Sequence, residues 1–268
     1  MAIITISREM GSGGIPIVHQ VAEELGYTLV DGDVIRDAAE DYDLSQEALQ
    51  QIDEKPPAFV ENLDRQIELN MNRIQLIVLE QALKGNVVIY GRGGQDLLPE
   101  ISSVLRVRVI APFEERVERW AQREWIDPDL ARSLVRKSDQ QRAGFIKYYF
   151  DRNWTNPIEY DIIINTVRVS NETAVKLITD AIKDPYLVEK AQFCKSKIKD
   201  LIIQKKIQIA RLDDERIKDI WFNIDVVDCH VTLSGHVYSE KERQAIIDDS
   251  KKVEGVTEVT DNLKIVHY

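Results

Sequence analysis

Residues 3–16 read Ile3-Ile4-Thr5-Ile6-Ser7-Arg8-Glu9-Met10-Gly11-Ser12-Gly13-Gly14-Ile15-Pro16. An apolar strand, a glycine-rich turn and a helix start follow one another, which is the setting of a phosphate-binding loop. Such loops bind phosphate through backbone N–H groups, a lysine and a Ser or Thr that reaches Mg²⁺. Here the lysine position falls on Gly14 and the hydroxyl position on Pro16, and the first lysine of the chain is Lys55. The stretch predicts anion binding by the backbone, with phosphoryl transfer dependent on another cation.

Length and composition describe an ordinary globular chain. Its 268 residues, 44% of them apolar and 30% charged, are enough for two domains. There is no long apolar run and no signal-peptide pattern, so we expect a soluble, cytoplasmic protein without a membrane span. The net charge of −11 argues against a nucleic-acid binder. Cys194 and Cys229 lack metal-site spacing and are predicted to be free thiols, and the scattered histidines predict no metal cluster.

Strand-like runs alternate with helical patterns over residues 1–184. Strands are predicted at 2–7, 27–30, 87–90, 105–111 and 160–165, and helices near 14–25, 34–41, 59–83, 113–124, 128–142 and 171–183. Strands separated by helices predict an α/β fold with a doubly wound parallel sheet of about five strands. Ligands bind at the carboxyl ends of such strands. Residues 11–14, 31–33 and 91–94 would therefore lie together.

The pattern changes after Asp184-Pro185. A lysine-rich helix near 187–210 precedes strands at 221–227 and 230–238, a helix at 239–252 and a last strand at 257–267. This α-β-β-α-β order predicts a small α+β domain. The predicted domains are 1–184 and 190–268.

The motifs of the first domain resemble a known family. Residues 4–14, with Leu25-Gly26-Tyr27 and Asp31, resemble the start of the cytidylate kinase-like family, relatives of P-loop nucleoside monophosphate kinases. Its later elements are resembled by residues 87–93, 108–116, 148–149 and 160–166. The resemblance covers roughly residues 1–183. Residues 190–268, through 231–237 and 253–256, are similar to a BON domain, a module associated with binding of phospholipid or other ligands.

The resemblance implies ATP- and Mg²⁺-dependent transfer of a phosphoryl group to CMP or dCMP. Phosphates of ATP would bind at a helix N-terminus, to Gly11, Ser12, Gly13 and Gly14. The alternative is a purely structural turn, although four small residues cost backbone entropy without adding packing. The transferred group needs cations. Candidate catalytic residues are Arg8, which is typical of the subfamily, and the lid arginines Arg132, Arg136 and Arg142, the last in an Asp-x-x-Arg motif with Asp139.

Four residues are candidates for binding the acceptor nucleotide: Asp31, Asp33, Arg36 and Arg92. Arg36 resembles the arginine that grips the acceptor phosphate, and a surface salt bridge is its alternative. Asp31 and Asp33 are also the carboxylates available to Mg²⁺, and helix capping is the alternative. Besides Gly14 and Pro16, two positions depart from the family: Ile15 stands where its Arg is usual, and Gly93 stands where cytidylate kinases carry Asp.

Two main functions remain open from the sequence. The first is a nucleoside monophosphate kinase in which arginines replace the missing lysine. The second is a non-catalytic nucleotide sensor whose degenerate kinase fold signals to the BON-like module, which binds a small molecule or phospholipid. A third is a structural fusion that binds no nucleotide.

Overall fold

A parallel five-stranded sheet organises the first part of the computed structural model, which describes residues 2–52, 65–98 and 101–266. Its strands are β1 (Ile3–Arg8), β2 (Thr28–Val30), β3 (Val87–Tyr90), β4 (Val104–Ile110) and β5 (Ile162–Asn165). Their spatial order is β2-β3-β1-β4-β5, so the chain crosses over at β1. Ile3 pairs with Val87 and Val104, which places the ends of β1, β3 and β4 at one edge.

Helices cover both faces of this sheet. They are α1 (Gly14–Leu25), α2 (Gly32–Ala38), α3 (Gln46–Ile52), α4 (Arg65–Lys84), α5 (Gly94–Leu97), α6 (Phe113–Glu124), α7 (Pro128–Phe150) and α8 (Asn171–Ala181). Alternate strand residues point to opposite faces. Ile3 and Ile89 pack with α4, whereas Ile4 and Val88 pack with α1 and α8. Because both faces are buried, the strands are apolar throughout.

The C-terminal domain is a small three-stranded sheet with one helix on it. Its elements are β6 (Phe222–Val227), β7 (His230–Val237), α10 (Glu240–Lys252) and β8 (Glu258–Ile265). β7 lies in the middle, antiparallel to β6 and parallel to β8. Ser239 begins α10 with a capping box, in which its hydroxyl accepts from the Glu242 N–H and the Glu242 carboxylate accepts from the Ser239 N–H. The predicted order of elements is confirmed.

One long helix, α9 (Pro185–Asp213), belongs to both parts. Cys194, Ile198 and Ile202 pack into the core beneath the large sheet. Ile203 and Ile207 pack into the core of the small domain. The predicted boundary near 184–190 therefore falls at the start of a helix that both cores share, and the division into two domains stays a prediction.

Most predicted elements appear with bounds shifted by a few residues. The largest difference is α7, predicted to end at 142 and observed to continue to Phe150. Gly144 does not end the helix because Phe145 and Ile146, directly after it, are buried in the core. The short helices α3 and α5 were not predicted. The start of the helix predicted at 59–83 lies partly outside the described residues. Among the described helices, none is long and apolar enough to cross a membrane.

Candidate active site

The glycine-rich turn joins β1 to α1 at the carboxyl edge of the sheet. Gly13 precedes the helix with a φ of 82°, and Gly11 has a φ of 78°. A Cβ on Gly11 would lie 2.5 Å from the backbone oxygen of Arg116, so no side chain fits there. From the sequence, these small residues were expected to add no packing. Gly11 does have a packing role, which supports the alternative of a purely structural turn at this position.

Ser12 differs from its neighbours because it turns into the protein. It is 0% exposed, and its hydroxyl donates to the Glu9 carbonyl oxygen at 2.7 Å. Its N–H donates to the same carbonyl at 3.2 Å. Gly11, Gly13 and Gly14 line a cavity, and Ser12 does not. Of the four residues predicted to bind phosphate, three face that cavity.

This first cavity has a volume of about 210 Å³ and a cationic wall. Its arginines come from three elements: Arg8 from β1, Arg119 and Arg123 from α6, and Arg142 from α7. Ile15, Pro16, Tyr90 and Trp120 also line it. Among the described residues, no lysine lines the cavity.

Glu9 is the acidic residue in that wall, and two arginines neutralise it. Its carboxylate lies 3.2 Å from Arg108 and 3.2 Å from Arg116, both buried. Arg116 also pairs with Asp139 at 2.9 Å. The aspartate of the predicted Asp-x-x-Arg motif therefore has a structural role as a partner of Arg116. Because the pairs balance the carboxylate of Glu9, the remaining field at the cavity is positive.

The predicted lid arginines separate into two groups. Arg142 lines the first cavity, and its guanidinium donates to the Ser138 hydroxyl. Arg132 instead pairs with Glu114, and Arg136 lies 5.6 Å from the centre of the Phe113 ring. Neither of these two lines the first cavity.

Sequence reasoning missed the arginines of α6. Arg119 lines the first cavity and donates to the Thr166 hydroxyl at 2.9 Å, and Arg123 lies over the Trp120 ring at 5.2 Å. Their i, i+4 spacing on the helix that follows a buried strand was the available signal, because it places two cations on one helix face at the ligand edge. Trp125, the other tryptophan of this region, is 93% exposed.

A second cavity of about 210 Å³ adjoins the first. Arg8, Ile15 and Tyr90 line both cavities, and the Arg8 guanidinium lies 4.2 Å from the centre of the Tyr90 ring. Arg92 enters from the loop after β3, where it has a φ of 57°. That φ is uncommon for a residue other than glycine. A Cβ on Gly32 would lie 2.9 Å from Arg92 Nη2, so the guanidinium lies against the start of α2.

The other predicted acceptor residues have structural partners. Asp31 lines the second cavity and also caps α2, since its Oδ1 accepts from Asp33 N at 2.9 Å and Val34 N at 3.2 Å. Asp33 lines the same cavity and pairs with Arg36 at 2.8 Å. Arg36 lies on the surface outside this cavity, as its salt-bridge alternative describes.

Comparison with known proteins agrees with this geometry. Residues 3–168 match the cytidylate kinase-like family, and residues 199–267 match the BON domain. The chain belongs to the cytidylate kinase-like family. This membership supports a kinase of nucleoside monophosphates, and it confirms the resemblance seen in the motifs.

Two relatives and one solved structure show the extent of the similarity. A cytidylate kinase of Ignicoccus hospitalis is 32% identical over 182 residues, covering 66% of this chain and 97% of its own length. One from Halobacterium salinarum is 26% identical over 189 residues, covering 70% and 92%. An uncharacterised protein from Eubacterium ventriosum superposes with a TM-score of 0.55 at 22% identity, covering 69% of this chain and 99% of its own, and shows the fold alone.

Proposed function

We propose that this member of the cytidylate kinase-like family transfers a phosphoryl group from ATP to a nucleoside monophosphate, CMP or dCMP. The observation that carries the proposal is the pair of adjoining cavities with Arg8 between them. One presents the glycine turn and arginines, as a triphosphate requires, and the other presents Arg92, as a monophosphate requires. The names of the curated relatives support cytosine as the base. Gly93, in place of the family's Asp, leaves base selection to other groups.

Arginines take the place of the missing lysine in this proposal. Phosphoryl transfer is mainly positioning and stabilisation of charge on the oxygens of the transferred group. Arg8, at the junction, is placed to stabilise that charge, and Arg92 orients the acceptor phosphate. Arg119, Arg123 and Arg142 hold the donor phosphates. A guanidinium stays charged at every physiological pH, so this arrangement needs no tuned lysine.

The described residues fit ATP better than they fit a bound metal. Gly13 and Gly14 place backbone N–H groups at the start of α1, within the arginine-lined wall. No group of three or more metal-binding side chains occurs within the described ranges. Mg²⁺ is held by one or two carboxylates together with substrate phosphates in many kinases, and Asp31 and Asp33 would serve here. The ion would supply further neutralisation of phosphate charge.

The deciding experiment measures ADP formation from ATP and Mg²⁺ with CMP, dCMP, UMP, AMP and GMP as acceptors. Turnover that depends on CMP or dCMP is the expected result. Turnover with another monophosphate alone would support kinase activity but reject cytosine as the preferred base. The same samples, followed by thermal unfolding with each nucleotide, separate absence of catalysis from absence of binding.

The second candidate is a non-catalytic nucleotide sensor. It is favoured by Pro16, which lines the first cavity where a Mg²⁺-binding hydroxyl is usual. It is also favoured by Gly14 at the usual lysine position, because a Cβ added there would lie 2.8 Å from Arg8 Cβ. Nucleotide-dependent stabilisation without ADP formation would select this function over the kinase. The absence of both stabilisation and turnover would reject both functions.

A further inference from the structure

A third cavity, here called the seam cavity, lies between the kinase-like part and the BON domain. Its volume is about 540 Å³, within the usual range of small-molecule sites. Its wall combines residues of α4, α5 and the end of α7 with residues of α9 and β6. It shares no lining residue with the first two cavities. Any ligand bound there would contact both domains and neither nucleotide cavity.

Lys205 brings to the seam cavity a positive group without an ion-pair partner among the described residues. Its ammonium donates to Asn72 Oδ1 at 3.0 Å and Gln208 Oε1 at 2.9 Å, both neutral amides. Within the described ranges it makes no ion pair with a carboxylate, and the nearby Glu68 pairs with Arg211 at 3.0 Å. Burial lowers the pKa of Lys205 to about 8. An ammonium in such a place is costly unless a counter-charge joins it.

Polar atoms without partners occur in the same wall. Gln75 is 5% exposed, and its Oε1 has no hydrogen-bond partner. The Tyr149 hydroxyl is likewise buried without a partner. Such groups are rare in folded proteins and call for a specific explanation. Each of these two residues lines the seam cavity, as Lys205 does.

The remaining acidic side chain of the wall is already engaged. Asp96 lies 3.9 Å from Arg152, which also pairs with Glu159, and its carboxylate accepts from the Gln95 amide at 2.6 Å. Trp221, Phe222 and Phe150 supply aromatic surface to the same cavity. An ammonium group without an ion pair, several amides and aromatic surface together describe a site for an organic anion.

We infer that the seam cavity binds a small organic anion whose carboxylate or phosphate group pairs with Lys205 and whose polar body bonds to the amides around it. This site is independent of the proposed kinase activity. The anion would bridge α4 and α9, and so join the two domains through a ligand.

The test uses the full chain and 1-anilinonaphthalene-8-sulfonate, an aromatic anion whose fluorescence rises on transfer to an apolar site. At pH 7 the unmodified protein should bind it saturably. Lys205→Met should weaken this binding by about tenfold or more, because the counter-charge is lost. Lys206→Met is the matched control: the next residue of α9 pairs with Glu80 and Glu254 and does not line the seam cavity, so its effect should stay within about twofold.

Displacement of the probe then identifies the anionic group. Glycerol 3-phosphate should displace it if the site prefers phosphate, and malate should displace it if the site prefers carboxylate. Lys205→Gln repeats the test with a polar side chain, and thermal unfolding shows that each variant is folded. Equal affinity of the unmodified protein and both folded Lys205 variants would overturn the proposal, as would absence of saturable binding or displacement by neither compound.

Discussion

The first cavity and the seam cavity differ in the charged groups that line them. The first is lined by arginines at the open edge of a sheet, with its one acidic residue neutralised by buried ion pairs. The seam cavity is lined by amides, aromatic side chains, the paired Glu68 and Arg211, Asp96, and Lys205, which has no ion pair among the described residues. Permanent charge suits a polyanion such as a nucleoside triphosphate. An ammonium group without an ion pair suits a smaller anion.

The seam cavity contains two groups with shifted pKa values. Burial raises the pKa of Asp96 to about 6 and lowers the pKa of Lys205 to about 8. Both shifts favour the uncharged form of the side chain. Desolvation is the largest cause for each. The wall of the seam cavity therefore contains two groups whose charge changes nearer to neutral pH than in free side chains.

Replacing Arg8 tests the cationic cavity most severely. Arg8→Met should lower kcat by about 10²–10³-fold, because it removes the cation at the junction where charge develops. Lys176→Met, on the exposed face of α8, is the matched loss of a positive charge outside both cavities and should change kcat by less than about twofold. Steady-state ADP formation measures both. Equal rates for Arg8→Met and the unmodified chain would remove Arg8 from catalysis.

Replacing Gly11 tests whether packing against Arg116, rather than phosphate binding, requires glycine at this position of the turn. Gly11→Ala should lower the free energy of unfolding by about 3 kcal/mol or more, since a positive φ is combined with a clash against Arg116. Gly26→Ala is the matched control, because Gly26 has a φ of 65° but nothing within 4 Å of the added Cβ. It should cost about 1 kcal/mol. Denaturant unfolding without nucleotide measures both, and equal losses would show that Arg116 makes no steric demand.

Arg92 tests the second cavity. Arg92→Ala should raise the KM for the monophosphate by about 10²-fold and leave the KM for ATP within about threefold, because a charge-assisted bond to the acceptor is lost. Arg36→Ala should change either KM by less than about threefold, since Arg36 lies outside the cavity. A larger effect from Arg36 than from Arg92 would restore the sequence-based role of Arg36. Unchanged affinity together with unchanged thermal stability would exclude Arg92 from the site.

Asp96 tests the pH-sensitive wall of the seam cavity. Its pKa is higher in the folded protein than in the unfolded chain, so the folded state loses stability as pH rises from about 4 through 6. Asp96→Asn should therefore be nearly neutral at pH 4 and more stable than the parent by roughly 2–3 kcal/mol at pH 8. Urea unfolding at the two pH values measures the difference. A stabilisation that is the same at both would contradict the raised pKa.

The order of strands and helices was readable from the sequence in both domains. Apolar runs such as residues 87–90 and 105–111 alternate with helical patterns, and these signals depend only on neighbours along the chain. The motifs at residues 4–14 and 87–93 also indicated the family and the edge of the sheet where ligands bind. The end of α7 was not readable, because Phe145 and Ile146, which lie beyond the predicted end at 142, are buried against residues distant in the chain.

The residue types that could meet a phosphate, and the absence of the usual lysine, can be read from the printed chain. Packing in three dimensions brings Arg142, rather than Arg132 or Arg136, to the cavity at the glycine turn, and it buries Ser12. It alone brings Lys205 to Asn72, which is 133 positions away. The reason is physical: secondary structure follows local geometry, whereas cavities form where distant side chains meet and their charges and volumes are balanced against one another.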